Sequence, residues 1–241
     1  MKRSDCLISS EGIKTYRLGF RVLVLLILCH VGAAKANSQD PTQLNLLCAG
    51  IDNSYECAQA IERHQLQKSE YSPAVKRAGS SLRLQLRSGR SVSLRDFQKR
   101  GDEASVVKYS FRDYLRDLGY FLIHRQFYEG DDYLMIQDTT GRRYELQNVP
   151  VVSPDKRRLV TASNGISGGY NANALQIWRL TLRGMVLEQT IEPNDWGPSD
   201  AEWIDNLTIR VMKNLPVSGE SEAPKSDVTL RFRRRWQIVK Q

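Results

Sequence analysis

Apolar and polar positions alternate with a period of two through most of this chain, and turn residues interrupt the alternation at short intervals. Leu82, Leu84 and Leu86 alternate with Arg83, Gln85 and Arg87, and Val92 and Leu94 resume the spacing after Ser88-Gly89. Successive strand side chains point to opposite faces, so this pattern predicts a hairpin with one buried face. Further strands are expected at Val106 to Phe111, Tyr120 to Phe127, Tyr133 to Gln137 and Arg143 to Leu146, with Arg95 to Ala104 as a charged connection. VPVV up to Val152, RLVTAS from Arg158 and ALQIWRLTL from Ala174 continue the series. Pro154-Asp155 supplies a turn between the first two of these, because proline presets φ and aspartate bonds nearby backbone.

Met185 to Ile191, Trp203 to Met212 (interrupted near Asp205-Asn206) and Val228 to Val239 bring the total to roughly eleven short strands, the signature of an antiparallel all-β chain. Pro193 to Asp200 reads as a loop that presents Trp196, and Leu215 to Asp227 as an exposed one. Only Glu56 to Gln67 has helical character, with Ala60, Ile61 and Leu66 toward one side. The expected architecture is an antiparallel meander in three or four propeller-like blades over residues 80–241. A sandwich or irregular barrel is the alternative, and residues 37–79 hold a disulfide loop and a short helix.

The amino-terminal residues 1–36 break this pattern. Five basic residues precede VLVLLIL (Val22 to Leu28), and Ala34-Lys35-Ala36 follows as a small-x-small cleavage site. This is the layout of a signal peptide; the apolar run is shorter than the roughly 20 residues a spanning helix needs. The mature chain then starts at Asn37, in the periplasm or the medium. Its loss changes the charge argument: taking six basic and two acidic residues from the 35 and 27 of the whole chain lowers the net charge from +8 to +4. That is an ordinary surface, with no case for nucleic acid. Cys48 and Cys57 survive processing, and an even pair in an exported chain predicts a disulfide rather than a metal site recruiting His64.

VVSPDKRRLVTAS followed by LQIWRL, within Val151 to Leu180, resembles a blade of a WD-repeat or Tol-B-like β-propeller. In such a blade a Ser-Pro-Asp turn leads one strand and a Trp-containing strand follows. Arg179 follows Trp178 where a WD repeat has aspartate, and no Gly-His pair opens the blade. With WGPSDAEWIDNLTI downstream, the wider pattern is similar to uncharacterised secreted bacterial proteins. The resemblance implies blade-like strands and carries no chemistry.

Candidate chemistry is sparse. Gly165-Ile166-Ser167-Gly168-Gly169 matches G-x-S-x-G, yet a strand rather than a helix is expected after Ser167 and no histidine follows it, which excludes a hydrolase elbow. A chymotrypsin-like order keeps Ser167 as nucleophile, His124 (or His64) as base and Asp102 (or Asp113) as its partner. Ser153-Pro-Asp-Lys156 matches S-x-x-K but sits in a turn. Asp131-Asp132 and Asp195 with Asp200 are oxygen donors of the kind calcium takes, although turn carboxylates ordinarily bond backbone.

On a continuous last strand, Arg231, Arg233 and Arg235 would form a cationic stripe beside Trp236, suited to an anionic envelope component, an acidic protein or a membrane surface. Trp196, in its loop, is the aromatic expected to touch a ligand. The leading expectation is an exported, non-enzymatic binding or protein-interaction module without cofactor or metal. A divergent serine hydrolase using Ser167 is the alternative.

Overall fold

In this computed structural model the chain divides into Met1–Asn37 and Ser38–Gln241, and the residues that can be described, 44, 46–166, 168–216 and 225–239, all belong to the second unit. They form one main helix and sixteen strands in four antiparallel sheets. Sheet 1 contains β1 (Val75–Ala78), β2 (Ser81–Gln85) and β3 (Ser91–Arg95). Sheet 2 contains β4 (Phe97–Lys99), β5 (Asp102–Leu115), β6 (Tyr120–Phe127), β7 (Asp131–Gln137) and β8 (Arg143–Leu146). Sheet 3 contains β9 (Val151–Val152), β10 (Arg158–Ser163), β11 (Ala174–Thr181) and β12 (Gly184–Ile191). Sheet 4 contains β13 (Gly197–Asp205), β14 (Thr208–Asn214), β15 (Lys225–Phe232) and β16 (Trp236–Val239).

Each sheet is a meander in which every strand pairs with its neighbour in sequence, and each keeps two open edges, so none closes into a barrel. Three apolar clusters lie between consecutive sheets. Leu82, Leu84 and Leu94 of sheet 1 meet Phe111, Phe121, Ile123, Leu134 and Ile136 of sheet 2. The other face of sheet 2, with Tyr120, Leu122, Tyr133 and Met135, meets Leu159 and Met185 of sheet 3. Val160, Leu175 and Ile177 then meet Trp203, Ile209, Val211, Leu230 and Trp236 of sheet 4. The alternation explains the layering, since Phe121 and Ile123 face one cluster while Tyr120 and Leu122 face the next.

Helix α1 (Ser54–Leu66) lies on β5. Asn53 caps it, its side-chain oxygen accepting from the N–H groups of Tyr55 and Glu56, as N-cap residues do. Cys57, in its first turn, is bonded to Cys48. Ala58, Ile61, Glu62 and Gln65 form the buried side.

Several sequence expectations are corrected. Arg95 to Ala104 is no connection: it contains β4 and the start of β5, an exposed hairpin without the apolar alternation that reveals strands. β1 pairs with β2, so sheet 1 starts before residue 80. Gly197-Pro198 lies within a strand; β13 is the edge of sheet 4, where a proline removes no ladder bond. The last strand is two, because Phe232 pairs with Trp236 across a turn at Arg233, Arg234 and Arg235.

Candidate functional site

The free edge of β5 organises a cleft among the described residues. β4 pairs with β5 only as far as Val107, so the outward backbone groups beyond it have no neighbouring strand. Buried backbone groups require partners, and side chains supply them here. Asp96 Oδ1 accepts the Tyr109 N–H at 2.9 Å, Arg77 donates to the Tyr109 carbonyl, and Glu62 Oε2 accepts the Phe111 N–H at 2.6 Å. Arg77 and Glu62 are themselves joined by two parallel bonds, Nε to Oε1 at 2.7 Å and Nη2 to Oε2 at 2.8 Å. Burial works against the Arg77 charge, but Glu62 and then Asp96 outweigh it and raise its pKa above the ordinary arginine value. This ionic trio stands in for a missing strand.

The trio also forms one wall of a cleft of about 260 Å³, with Tyr55, Gln59 and Arg63 of α1 on one side and Lys108, Ser110 and Gln126 on the other. Gln126 is only 3% exposed, and its Oε1 has no hydrogen-bond partner among the described residues; neither has Arg77 Nη1, 3.7 Å from Asp96. A buried polar atom without a partner costs about 1–3 kcal/mol. The cleft therefore presents one acceptor and one donor, with the Arg77 charge already paired to Glu62 and Asp96 and with Arg63 and Lys108 also at its walls. The sequence reading missed these residues. Glu62 at helical spacing from Ala58, Ile61 and Gln65 was the available signal, since a carboxylate on an apolar helix face needs a buried partner.

The expected site residues lie elsewhere. Ser167 is outside the described residues. Around it the loop is tied by asparagines: Asn173 Nδ2 donates to the carbonyls of Pro193 and Trp196 at 2.7 and 3.0 Å, and Asn164 Oδ1 accepts the Ile166 N–H. A Cβ on Gly165 would lie 2.0 Å from the Asn171 carbonyl, so the glycine there answers a close backbone approach. His124 is not joined to Asp102, which lies at the far end of β5, about 25 Å along the strand from His124's cross-strand partner Ser110. Its carboxylate is Asp131, with Nε2 and Oδ2 2.6 Å apart, and its ring stacks on Tyr133 at 4.6 Å. Asp113 accepts from the Tyr71 hydroxyl, and His64 is exposed on α1.

Ser153 is 2% exposed and committed to its turn, its Oγ accepting the Arg158 N–H at 2.9 Å and lying 2.7 Å from Asp155 Oδ1. Lys156 instead reaches Asp117. Asp132 pairs with Arg125, while Asp195 and Asp200 lie at the surface. Trp196, expected in the open, is 5% exposed within the cluster between sheets 3 and 4, with Lys213 Nζ 5.7 Å from its ring. Arg231 points outward from β15, but Arg233 and Arg235 sit in the turn, so the three form no stripe on one strand face. Trp236 is buried, beneath the Arg158 guanidinium. No helix among the described residues is long and apolar enough to cross a membrane. Comparison with protein-family models, curated proteins and solved structures gives no match.

Proposed function

We propose that the chain is an exported, non-enzymatic binding module, built from propeller-like blades, that takes a neutral sugar unit in the cleft on β5. The observation that carries this reading is that Gln126 Oε1 and Arg77 Nη1, both buried and unpartnered among the described residues, belong to side chains lining one cleft. The hydroxyls of a sugar both donate and accept, and so suit an acceptor and a donor in the same cleft. Arg77 is already paired with Glu62 and Asp96, so the donor it offers is no free charge for an anion to neutralise, which favours a neutral ligand. The volume is below the roughly 300–1,000 Å³ of drug-sized pockets, which suits a single ring. Export is supported by the residue 1–36 pattern and by the disulfide, which persists in oxidising compartments.

Saturation-transfer NMR with glucose, mannose and N-acetylglucosamine tests the proposal. The wild-type protein is expected to transfer saturation to at least one of them. Gln126→Leu is expected to abolish the transfer without lowering the melting temperature, because it removes a buried polar group that has no partner to lose. Absence of transfer to all three sugars, or transfer unchanged by Gln126→Leu, rejects the reading.

A further inference from the structure

We infer that the outward face of sheet 1 docks a linear polyanionic polysaccharide. The face turned away from sheet 2 carries Lys76, Arg83 and Arg95, set among Ala78, Gln85 and three serines, and none of these residues is a carboxylate. All three cations are exposed. Lys76 stands directly opposite Arg83 in the β1–β2 register, and Arg95 opposite Ser81, two residues from Arg83. Like charges directly opposite on neighbouring strands destabilise a sheet. Sheet 3 also sets Arg158 opposite Arg179, but there Glu188 pairs with both. Arg125 is paired with Asp132 and Glu145 in sheet 2, Arg158 and Arg179 with Glu188 in sheet 3, and Arg210 with Glu202 in sheet 4. Among the described residues, sheet 1 alone sets cation against cation on neighbouring strands without a carboxylate between them.

Charge complementarity and surface shape select the partner. Neighbouring strands are about 4.8 Å apart and diagonal positions about 7–8 Å, so the cations form a flat cluster rather than a pocket. A flat cluster with serine hydroxyls between the charges matches a chain whose anionic groups and hydroxyls recur along its length. Insertion into a membrane needs exposed apolar side chains, and single-stranded nucleic acid needs aromatic platforms; this face has neither. The inference is independent of the cleft, since these side chains point to the opposite side of sheet 1 from Arg77.

The test is anisotropy titration of labelled dextran sulfate with the full chain across a salt series, with neutral dextran as control. Lys76→Ser/Arg83→Ser/Arg95→Ser is compared with Arg233→Ser/Arg234→Ser/Arg235→Ser, which removes the same charge from the β15–β16 turn. The first variant is expected to bind on the order of a hundredfold more weakly, taking each cation at its usual value near an anionic surface. Its melting temperature should stay level or rise, as the Lys76–Arg83 repulsion is relieved. The turn variant should lose little. Equal losses in the two variants, or no binding of dextran sulfate by the wild type, overturn the inference. So does binding through this face to phosphatidylglycerol vesicles or single-stranded DNA but not to dextran sulfate.

Discussion

Asn171 and Asp131 hold one another by two hydrogen bonds: Asn171 Nδ2 donates to Asp131 Oδ1 at 3.0 Å, and the Asp131 N–H donates to Asn171 Oδ1 at 3.0 Å. The clasp ties the β6–β7 turn of sheet 2 to the β10–β11 loop of sheet 3. Asn171→Ala deletes both bonds and is expected to cost about 1–3 kcal/mol, read from urea denaturation. Gly130→Ala should also destabilise, because its Cβ would meet Asn171 Oδ1 at 2.6 Å and its φ is +105°.

The same clasp predicts a pH dependence. Burial tends to raise the Asp131 pKa, but the His124 hydrogen bond and charge, and then Asn171, outweigh it and hold the carboxyl below its ordinary 3.8. A carboxylate depressed in the folded state stabilises the protein above the unfolded value and loses that contribution as pH falls through the folded one. Asp131→Asn should therefore lower the melting temperature near neutral pH. The gap to wild type should begin to narrow as the pH falls below about 4 and close beneath the depressed folded value.

The two tryptophans of sheets 3 and 4 should separate by stability. Trp196 is buried between the sheets, and its replacement by alanine is expected to cost about 3–5 kcal/mol. Trp178 is half-buried against Tyr144, with a ring separation of 6.4 Å, and Trp178→Ala should cost less. Urea unfolding of both variants measures the order.

Glu62 is the acceptor for Arg77 and for the Phe111 N–H at once, so Glu62→Ala leaves a half-buried cation and an orphaned amide. The expected loss is at most about 3–5 kcal/mol, since Asp96 stays near the half-buried Arg77, and Glu62→Ala/Arg77→Leu should recover part of it by removing that charge. Chemical denaturation of the single and double variants decides this.

Reduction of Cys48–Cys57 should lower stability by about 2.7 kcal/mol, the chain-entropy value for a loop of this length. The loss should appear first as faster amide exchange at the start of α1. Without reductant, alkylation should leave both cysteines unmodified.

The alternating residues were the readable part of this chain. Tyr120 to Phe127, Arg143 to Leu146 and Arg158 to Ser163 stand out in the sequence as they do in the fold, because each has at least one face in a core. Exposed or irregular strands left no such trace. β4 has no buried residue, and Gly197-Pro198 advertises a loop although it forms an edge. Trp196 reads as exposed for the same reason: its neighbours describe a loop, while its side chain fills the gap between two sheets. The cleft was illegible because Glu62, Arg77 and Gln126 come from three elements and Asp96 from the link between β3 and β4, and only the path of β5 brings them together.

Sharing of cores between consecutive sheets alone has a consequence for how the molecule comes apart. Sheets 2 and 3 are covered on both faces by the clusters described, whereas sheets 1 and 4 each contribute one face. Such a stack behaves as a row of nearest-neighbour couplings, in which opening is least costly at the ends. Native-state hydrogen exchange should then show protection that rises from β1–β3 to β6–β7 and β10–β11 and falls again toward β16. Partial denaturation should release the outer sheets while the middle pair still exchanges only through global unfolding.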